Sequence, residues 1–143
     1  DNNEAGSLTA TGGFNSAGIG GGYLGDGKNI TITGGTVNAT GTRMVPASGG
    51  GDGGDGGYGN GKNITITDGT VTATGGIYGA GIGGGVNASG SNVTVSGAAQ
   101  VTATAGKSNG YYGAGATIGS GGNKTGGQPV DGEEIQAGGT SAA

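Results

Sequence analysis

The chain contains no cysteine, no histidine and no tryptophan, and only one phenylalanine, one methionine and two prolines among its 143 residues. Without cysteine no disulfide can staple it, and without cysteine or histidine the usual ligands of a soft-metal site are missing. Lysine and arginine number 5 and lie scattered, which excludes the basic footprint of a nucleic-acid-binding surface. No apolar run approaches the roughly 20 residues of a membrane-spanning helix. The mass of an ordinary hydrophobic core is lacking too: Leu, Ile, Val and Phe together make 20 residues, whereas glycine makes 43. Composition alone therefore leans towards disorder. Two features oppose that reading. The net charge is only −4, and the apolar residues fall in register with one another.

The register is clearest in residues 63–85, NITITDGTVTATGGIYGAGIGGG. Asn63–Thr67 alternates strictly, placing Ile64 and Ile66 on one face and Thr65 and Thr67 on the other. Thr70–Thr74 alternates again, with Val71 and Ala73 on one face and threonine on the other. Asp68-Gly69 separates the two runs. Gly79–Gly85 then places one large apolar side chain, Ile82, among glycines. Glycine is costly to order and packs nothing itself, so its use here points to a backbone conformation or a close approach that a Cβ would forbid.

Most of the chain consists of copies of this stretch. Asn29–Thr33 (NITIT) lies 34 positions before Asn63, and Asn92–Ser96 (NVTVS) begins 29 positions after it. The second run recurs at Ser7–Thr11, Thr36–Thr40 and Gln100–Thr104. AGIGGG occurs at 17–22 and 80–85, with a looser copy, AGATIGSGG, at 114–122. The copy expected near 48–57 reads SGGGDGGDGG and has lost its isoleucine. A period of this size over three to four copies signals a repeat architecture, in which single units bury nothing but stacked units share a core. The units are 7–28, 29–62, 63–91 and 92–122. Residues 1–6 form a polar lead-in, and 123–143 read as a linker or the start of a further segment.

The fold class is all-β, and two architectures fit. One is a parallel β-solenoid of about four coils with glycine-rich corners, equivalent strands stacking at about 4.8 Å. Asn29, Asn63 and Asn92 would then form an asparagine ladder. The alternative is a set of stacked β-hairpins, because two-residue Gly-Gly or Asp-Gly links are strong hairpin signals. Pairing Ile66 with Val71 and Ile64 with Ala73 would keep all four on one face. The repeat favours the solenoid.

N-I-T-I-T-x-G-T-V-T-A-T-G-G followed by A-G-I-G-G-G resembles the glycine-rich repeats of Gram-positive cell-surface proteins. It is also similar to right-handed parallel β-helix carbohydrate-binding domains related to the pectin lyase-like superfamily. The likeness covers residues 7–122. It implies an extracellular or cell-surface setting, polysaccharide binding and, in some members, calcium. The enzymes of that superfamily keep clustered Asp, Lys or Arg on one face. No such cluster occurs here, so no catalytic residues are expected and the chain is read as no enzyme.

Three sets of residues could carry function. Asp26, Asp52, Asp55 and Asp68 lie in glycine-rich turns and are candidate calcium ligands, since calcium takes six to eight oxygens from carboxylates and turn carbonyls. Aspartate also favours turns for its own local hydrogen bonds. The outward residues Thr31, Thr33, Thr65, Thr67 and Thr94, with Ser96, would form a two-column array. Thr9, Thr11, Thr72, Thr74, Thr102 and Thr104 would form a second. Flat threonine columns are an ice-binding pattern, but threonine is also simply a good outward strand residue. Tyr78, Tyr111 and Tyr112, with Tyr23 and Tyr58, lie near the glycine segments and are candidate platforms for sugar rings, against the plainer role of capping a thin core. The expected partners are polysaccharide and the chain itself or adjacent repeats, end to end; nucleic acid and membrane insertion are not expected. The expected function is a non-catalytic structural or adhesive module, with ice binding as the alternative.

Overall fold

The computed structural model describes residues 6–13, 16–21, 25–41, 48–49 and 59–135. Eleven strands account for its regular structure. They are β1 (Ser7–Thr11), β2 (Ile19–Gly20), β3 (Gly27–Thr40), β4 (Ser48–Gly49), β5 (Gly61–Thr74) and β6 (Ile82–Gly83), followed by β7 (Gly90–Val95), β8 (Gln100–Thr104), β9 (Ile118–Gly119), β10 (Asn123–Thr125) and β11 (Gln128–Val130). All pairings among β1 to β9 are parallel, and they join each repeat to the next. The protein is a parallel β-solenoid.

Equivalent residues lie over one another. On a first face, Ile30, Ile64 and Val93 form one column, and Ile32, Ile66 and Val95 a second; the next two columns lie on a second face. Leu8, Val37, Val71 and Val101 form a third, and Ala10, Ala39, Ala73 and Ala103 a fourth. On the third face Ile19, Ser48, Ile82 and Ile118 align. Ser48 thus stands at the position where the other coils place isoleucine. The middle of the stack is closed: Ile64, Ile66 and Ile82 are at most 1% exposed. Full burial of each such side chain contributes about 1.5–3 kcal/mol.

The stacked-hairpin alternative fails at the link on which it relied. Thr33 and Thr70 flank corners at Gly34-Gly35 and Asp68-Gly69, and the chain continues through each corner within one 14-residue strand. Hairpin turns of type I′ need positive φ at both central residues, and type II′ at the first. Only the second residue is positive here: Gly35 at 83° and Gly69 at 90°. The corner therefore redirects the strand without reversing it. It also shifts the inward parity from Ile64 and Ile66 to Val71 and Ala73, which a straight strand could not do. In the fourth coil Gly97-Ala98-Ala99 replaces the two-residue corner, and the extra residue divides the strand into β7 and β8.

A true hairpin occurs further on. Gly126 (φ 57°) and Gly127 (φ 80°) are both left-handed, and β10 and β11 pair antiparallel across them. Residues 123–135, in the segment read from sequence as a linker or the start of a further one, fold back onto the fourth coil. Gly113 donates its N–H to the Asn123 carbonyl at 3.0 Å, and Ile135 donates to that of Ile118 at 3.0 Å.

The cross-section is thin, and glycine makes it so. A Cβ on Gly61, at the start of β5, would lie 2.1 Å from the Gly83 carbonyl oxygen of the third face. Backbone would have to move to admit it. By contrast, a Cβ on Gly34 meets nothing within 4 Å. Gly61→Ala should therefore cost about 1–3 kcal/mol by overpacking. Gly34→Ala should be neutral, or stabilise by about 0.4–1 kcal/mol through the unfolded chain. Urea denaturation midpoints of the two variants check this; equal midpoints would refute the packing account.

Candidate functional site

Two side-chain ladders run along the stack beside the first face. Asn29, Asn63 and Asn92 all adopt left-handed backbone, with φ of 57°, 55° and 51°. Asparagine tolerates that region better than most residues because its short polar side chain can bond locally. The Asn63 Nδ2 donates to Asn29 Oδ1 at 3.1 Å, and Asn92 Nδ2 donates to Asn63 Oδ1 at 3.0 Å. The expected asparagine ladder is present. The second ladder joins side chain to backbone: Asn60 N–H donates to Asp26 Oδ1 at 2.8 Å, and Ser89 N–H donates to Asn60 Oδ1 at 2.9 Å.

This second ladder fixes the role of Asp26. Its carboxylate accepts the Asn60 amide and lies 3.2 Å from Lys28 Nζ. The amide hydrogen bond, and after it Lys28, hold its pKa below the ordinary carboxylate value. Asp68 instead accepts the N–H of Gly69 at 2.7 Å and caps its own corner. Each carboxylate is occupied in a different coil. Among the described residues no group of three or more potential metal ligands comes together. Asp26 and Asp68 thus form no shared oxygen cage for calcium. Asp52 and Asp55 lie outside the described residues.

The threonines face outward, in two arrays of different quality. On the first face Thr31, Thr65 and Thr94 align, but Thr33 pairs with Asp68 across a register shift and not with Thr67. Thr65, Thr67 and Thr94 are half-buried there, whereas Thr31 and Thr33 are exposed. On the second face Thr11, Thr40, Thr74 and Thr104 make an unbroken column, to which Thr40 is an addition not singled out from the sequence. Its neighbour runs Thr9, Asn38, Thr72, Thr102, interrupted once by asparagine. Apart from half-buried Thr74, these residues are exposed.

The tyrosines separate. Tyr78 is 3% exposed, adopts left-handed backbone (φ 66°) and gives its hydroxyl to Asn109 Oδ1, so its ring is no open platform for a sugar. Tyr112 packs edge-on against Tyr78 at 5.2 Å and against Tyr111 at 4.8 Å between ring centroids. Tyr111 is 57% exposed, with Lys124 Nζ 3.8 Å from its ring centre. Of the three, Tyr111 presents the most ring to solvent. Tyr23 and Tyr58 lie outside the described residues.

The two ends differ. Towards the amino terminus β1 and the Gly27–Thr33 part of β3 have no strand beyond them among the described residues. Leu8 is 50% exposed there, and Leu8, Ile32 and Val37 line a groove rimmed by Thr31, Thr33 and Thr36. Towards the carboxyl terminus β7 and β8 are likewise open. The third face is not open at that end, and Glu134 is the reason. Thr117 N–H donates to Glu134 Oε1 at 2.6 Å, and Ile118 N–H donates to Oε2 at 3.1 Å. The Thr117 hydroxyl adds a bond to Oε2 at 2.7 Å. One coil earlier, the matching N–H groups of Gly81 and Ile82 donate to the carbonyls of Ala116 and Thr117 at 3.0 and 2.9 Å. The two carboxylate oxygens thus stand in for two backbone carbonyls of a following coil. The Glu133 carbonyl, accepting from Ser120 N–H at 3.1 Å, does for Ser120 what the Gly119 carbonyl does for Gly84. Nothing in the sequence near Glu133 and Glu134 marks these partners, which lie 13 to 17 positions away.

Two outcomes test the ladders. Asn63→Gly keeps the left-handed backbone and loses both amide bonds, while Asn63→Ala loses the bonds and adds left-handed strain of about 1–2 kcal/mol. Thermal or urea unfolding should rank them wild type, Gly, Ala; an Ala variant as stable as the Gly one would remove the conformational role. The depressed pKa of Asp26 gives stability that is present above the ordinary carboxylate range and is lost as pH falls through the lowered value. Asp26→Asn should flatten that acid branch of the stability–pH curve, and an unchanged slope would refute it.

Comparison with known proteins agrees with this geometry. A family model described as a beta helix repeat matches residues 4–23 and 64–86. No curated protein and no solved structure matches the chain. The chain carries a β-helix repeat domain.

Proposed function

We propose that the chain is a non-catalytic structural or adhesive module of a secreted or cell-surface protein, and that it works as a rigid rod segment joined end to end with like units. The supporting observation is the pair of open edges. β1 and β8 belong to the same columns, Leu8 with Val101 and Ala10 with Ala103, and each lacks an outer neighbour among the described residues. An uncovered strand edge with a matching apolar column templates a further strand. Acid–base chemistry needs groups that converge on one point. Here the carboxylates of Asp26, Asp68 and Glu134 each serve local backbone. Polysaccharide binding, if it accompanies this role, falls to the exposed ring of Tyr111 beside Lys124.

The second reading is ice binding. It is favoured by one observation, the exposed column Thr11, Thr40, Thr104 with half-buried Thr74, beside Thr9, Thr72 and Thr102. Spacings of about 4.8 Å between coils and about 7 Å between alternate residues approach those of an ice lattice.

Electron microscopy and light scattering of the purified chain over a range of concentrations test the first reading. Rods lengthening with concentration, with an axial repeat near a small multiple of 4.8 Å, are expected; monodisperse single units at the highest concentration would overturn association between identical units. Thermal hysteresis that disappears in Thr72→Lys would instead favour ice binding.

A further inference from the structure

The end-to-end reading has an obstacle built into the chain. A coil added on β8 and β9 must occupy the second and third faces. The second is open, but the outer side of β9 is held by Asp131–Ile135. Gly119 bridges Glu134 antiparallel, Ile135 donates to the Ile118 carbonyl at 3.0 Å, and Gly132 N–H donates to the Ala114 carbonyl at 2.8 Å. The Asp131 carboxylate accepts from Ala114 N–H at 2.8 Å, and Ser120 Oγ accepts from Glu133 N–H at 2.7 Å. Ile135 packs against the core beyond Ile118, where the isoleucine of a following coil would sit.

We propose that Asp131–Ile135 is a displaceable plug, and that what it holds off is the first coil of a second copy of this chain, seated with β1 on β8 and β2 on β9. The inference rests on the end-to-end reading above. Three observations select the second copy as occupant. Its β1 carries the side chains that continue every column of β8: Leu8 over Val101, Ala10 over Ala103, Thr9 over Thr102 and Thr11 over Thr104. This is the register in which β1 sits against β3 and β8 against β5. Its β2 carries Ile19 and Gly20, which continue Ile118 and Gly119 and would replace Ile135 with a side chain of the same kind. Leu8 is half exposed in the single copy and Val101 half-buried, so seating one on the other removes apolar surface from both.

The plug is suited to leave. It meets the amides of Thr117 and Ile118 through the Glu134 side chain and the Ile118 carbonyl and Ser120 amide through its backbone, and Glu134 itself is exposed. A following coil would offer Thr117 and Ile118 true carbonyls in place of the carboxylate, and would cover β8 at the same time. Glu134 is therefore the latch: it makes the single copy's third face complete, and its removal frees two N–H groups that a further coil would satisfy.

The chain has no cysteine, so introduced thiols are unique reporters. Thr9→Cys copies are mixed with Thr102→Cys copies, with and without Glu134→Ala, and treated with a short bismaleimide. Association is followed in parallel by light scattering. Loss of the charge-assisted bonds should lower the half-association concentration by about tenfold and raise the cross-link between positions 9 and 102 with it. Thr117→Val, which removes one donor and leaves the carboxylate, should give about a threefold shift and serves if Glu134→Ala fails to fold. Association of the parent that Glu134→Ala and Thr117→Val leave unchanged would overturn the plug and leave the end-to-end reading intact. Stronger association without the cross-link would overturn the proposed seat. Parent and variants that all stay single at the highest concentration would overturn the end-to-end reading itself.

Discussion

The hydrogen bonds between successive coils are the constraint on which the structure depends. A parallel strand satisfies its N–H and C=O groups only through neighbours, and in a solenoid those neighbours are the previous and the next coil. Every residue is thereby tied to its counterparts above and below. That is why β-branched side chains fall into columns, why threonines do the same outside, and why the corners at Gly35, Gly69 and Gly97 each hold a left-handed glycine. The thin core is affordable only because the backbone network runs the length of the rod. Twenty large apolar residues could not hold a globule of this size, but a column needs only one per coil.

A network of that kind has direction and two ends. Each ladder donates one way along the axis, so the last coil is left with acceptors and donors that differ from those of the first. Open strand edges are normally blunted by charge, proline or a covering segment. This chain blunts one face of three. The carboxylate of Glu134 presents two oxygens to the two amides that a further coil would otherwise meet. A carboxylate suits the task because its acceptors are fixed in one plane and carry charge, which strengthens each bond relative to a carbonyl. On the other two faces nothing comparable occurs among the described residues.

What could be read in the sequence was whatever repeats. Ile64, Val71 and Ile82 announce their columns because Ile30, Val37 and Ile118 occur at matching places in neighbouring units, and Asn29, Asn63 and Asn92 announce their ladder in the same way. The loss of isoleucine at Ser48 was legible for the same reason. What occurs once was not. Tyr78 looked like a candidate for an exposed face. Its left-handed backbone and its bond to Asn109 turn it inward, and neither feature has a counterpart in another coil among the described residues. Glu134 finds Thr117 and Ile118 across the fold, 17 and 16 positions away. That contact depends on the hairpin at Gly126-Gly127 bringing the chain back, and no periodicity encodes it. The threonine arrays fall between: their existence was legible, but not the register shift that sets Thr33 against Asp68.

The same contrast indicates where novelty can enter such a molecule. β3 and β5 are both 14 residues long and align along nearly their whole length, because an insertion there would break pairing on both sides at once. The one insertion between the first and second faces among the described residues, at Gly97–Ala99, falls in the last coil, where only one side has a neighbour to lose. Among the described residues, departures from the repeat otherwise collect between the second and third faces, at 105–113, and beyond the last coil. The tyrosine cluster and the plug both arise in such segments. Side chains that differ from coil to coil are therefore found in these segments, whereas the regular faces repeat one threonine surface and one strand edge.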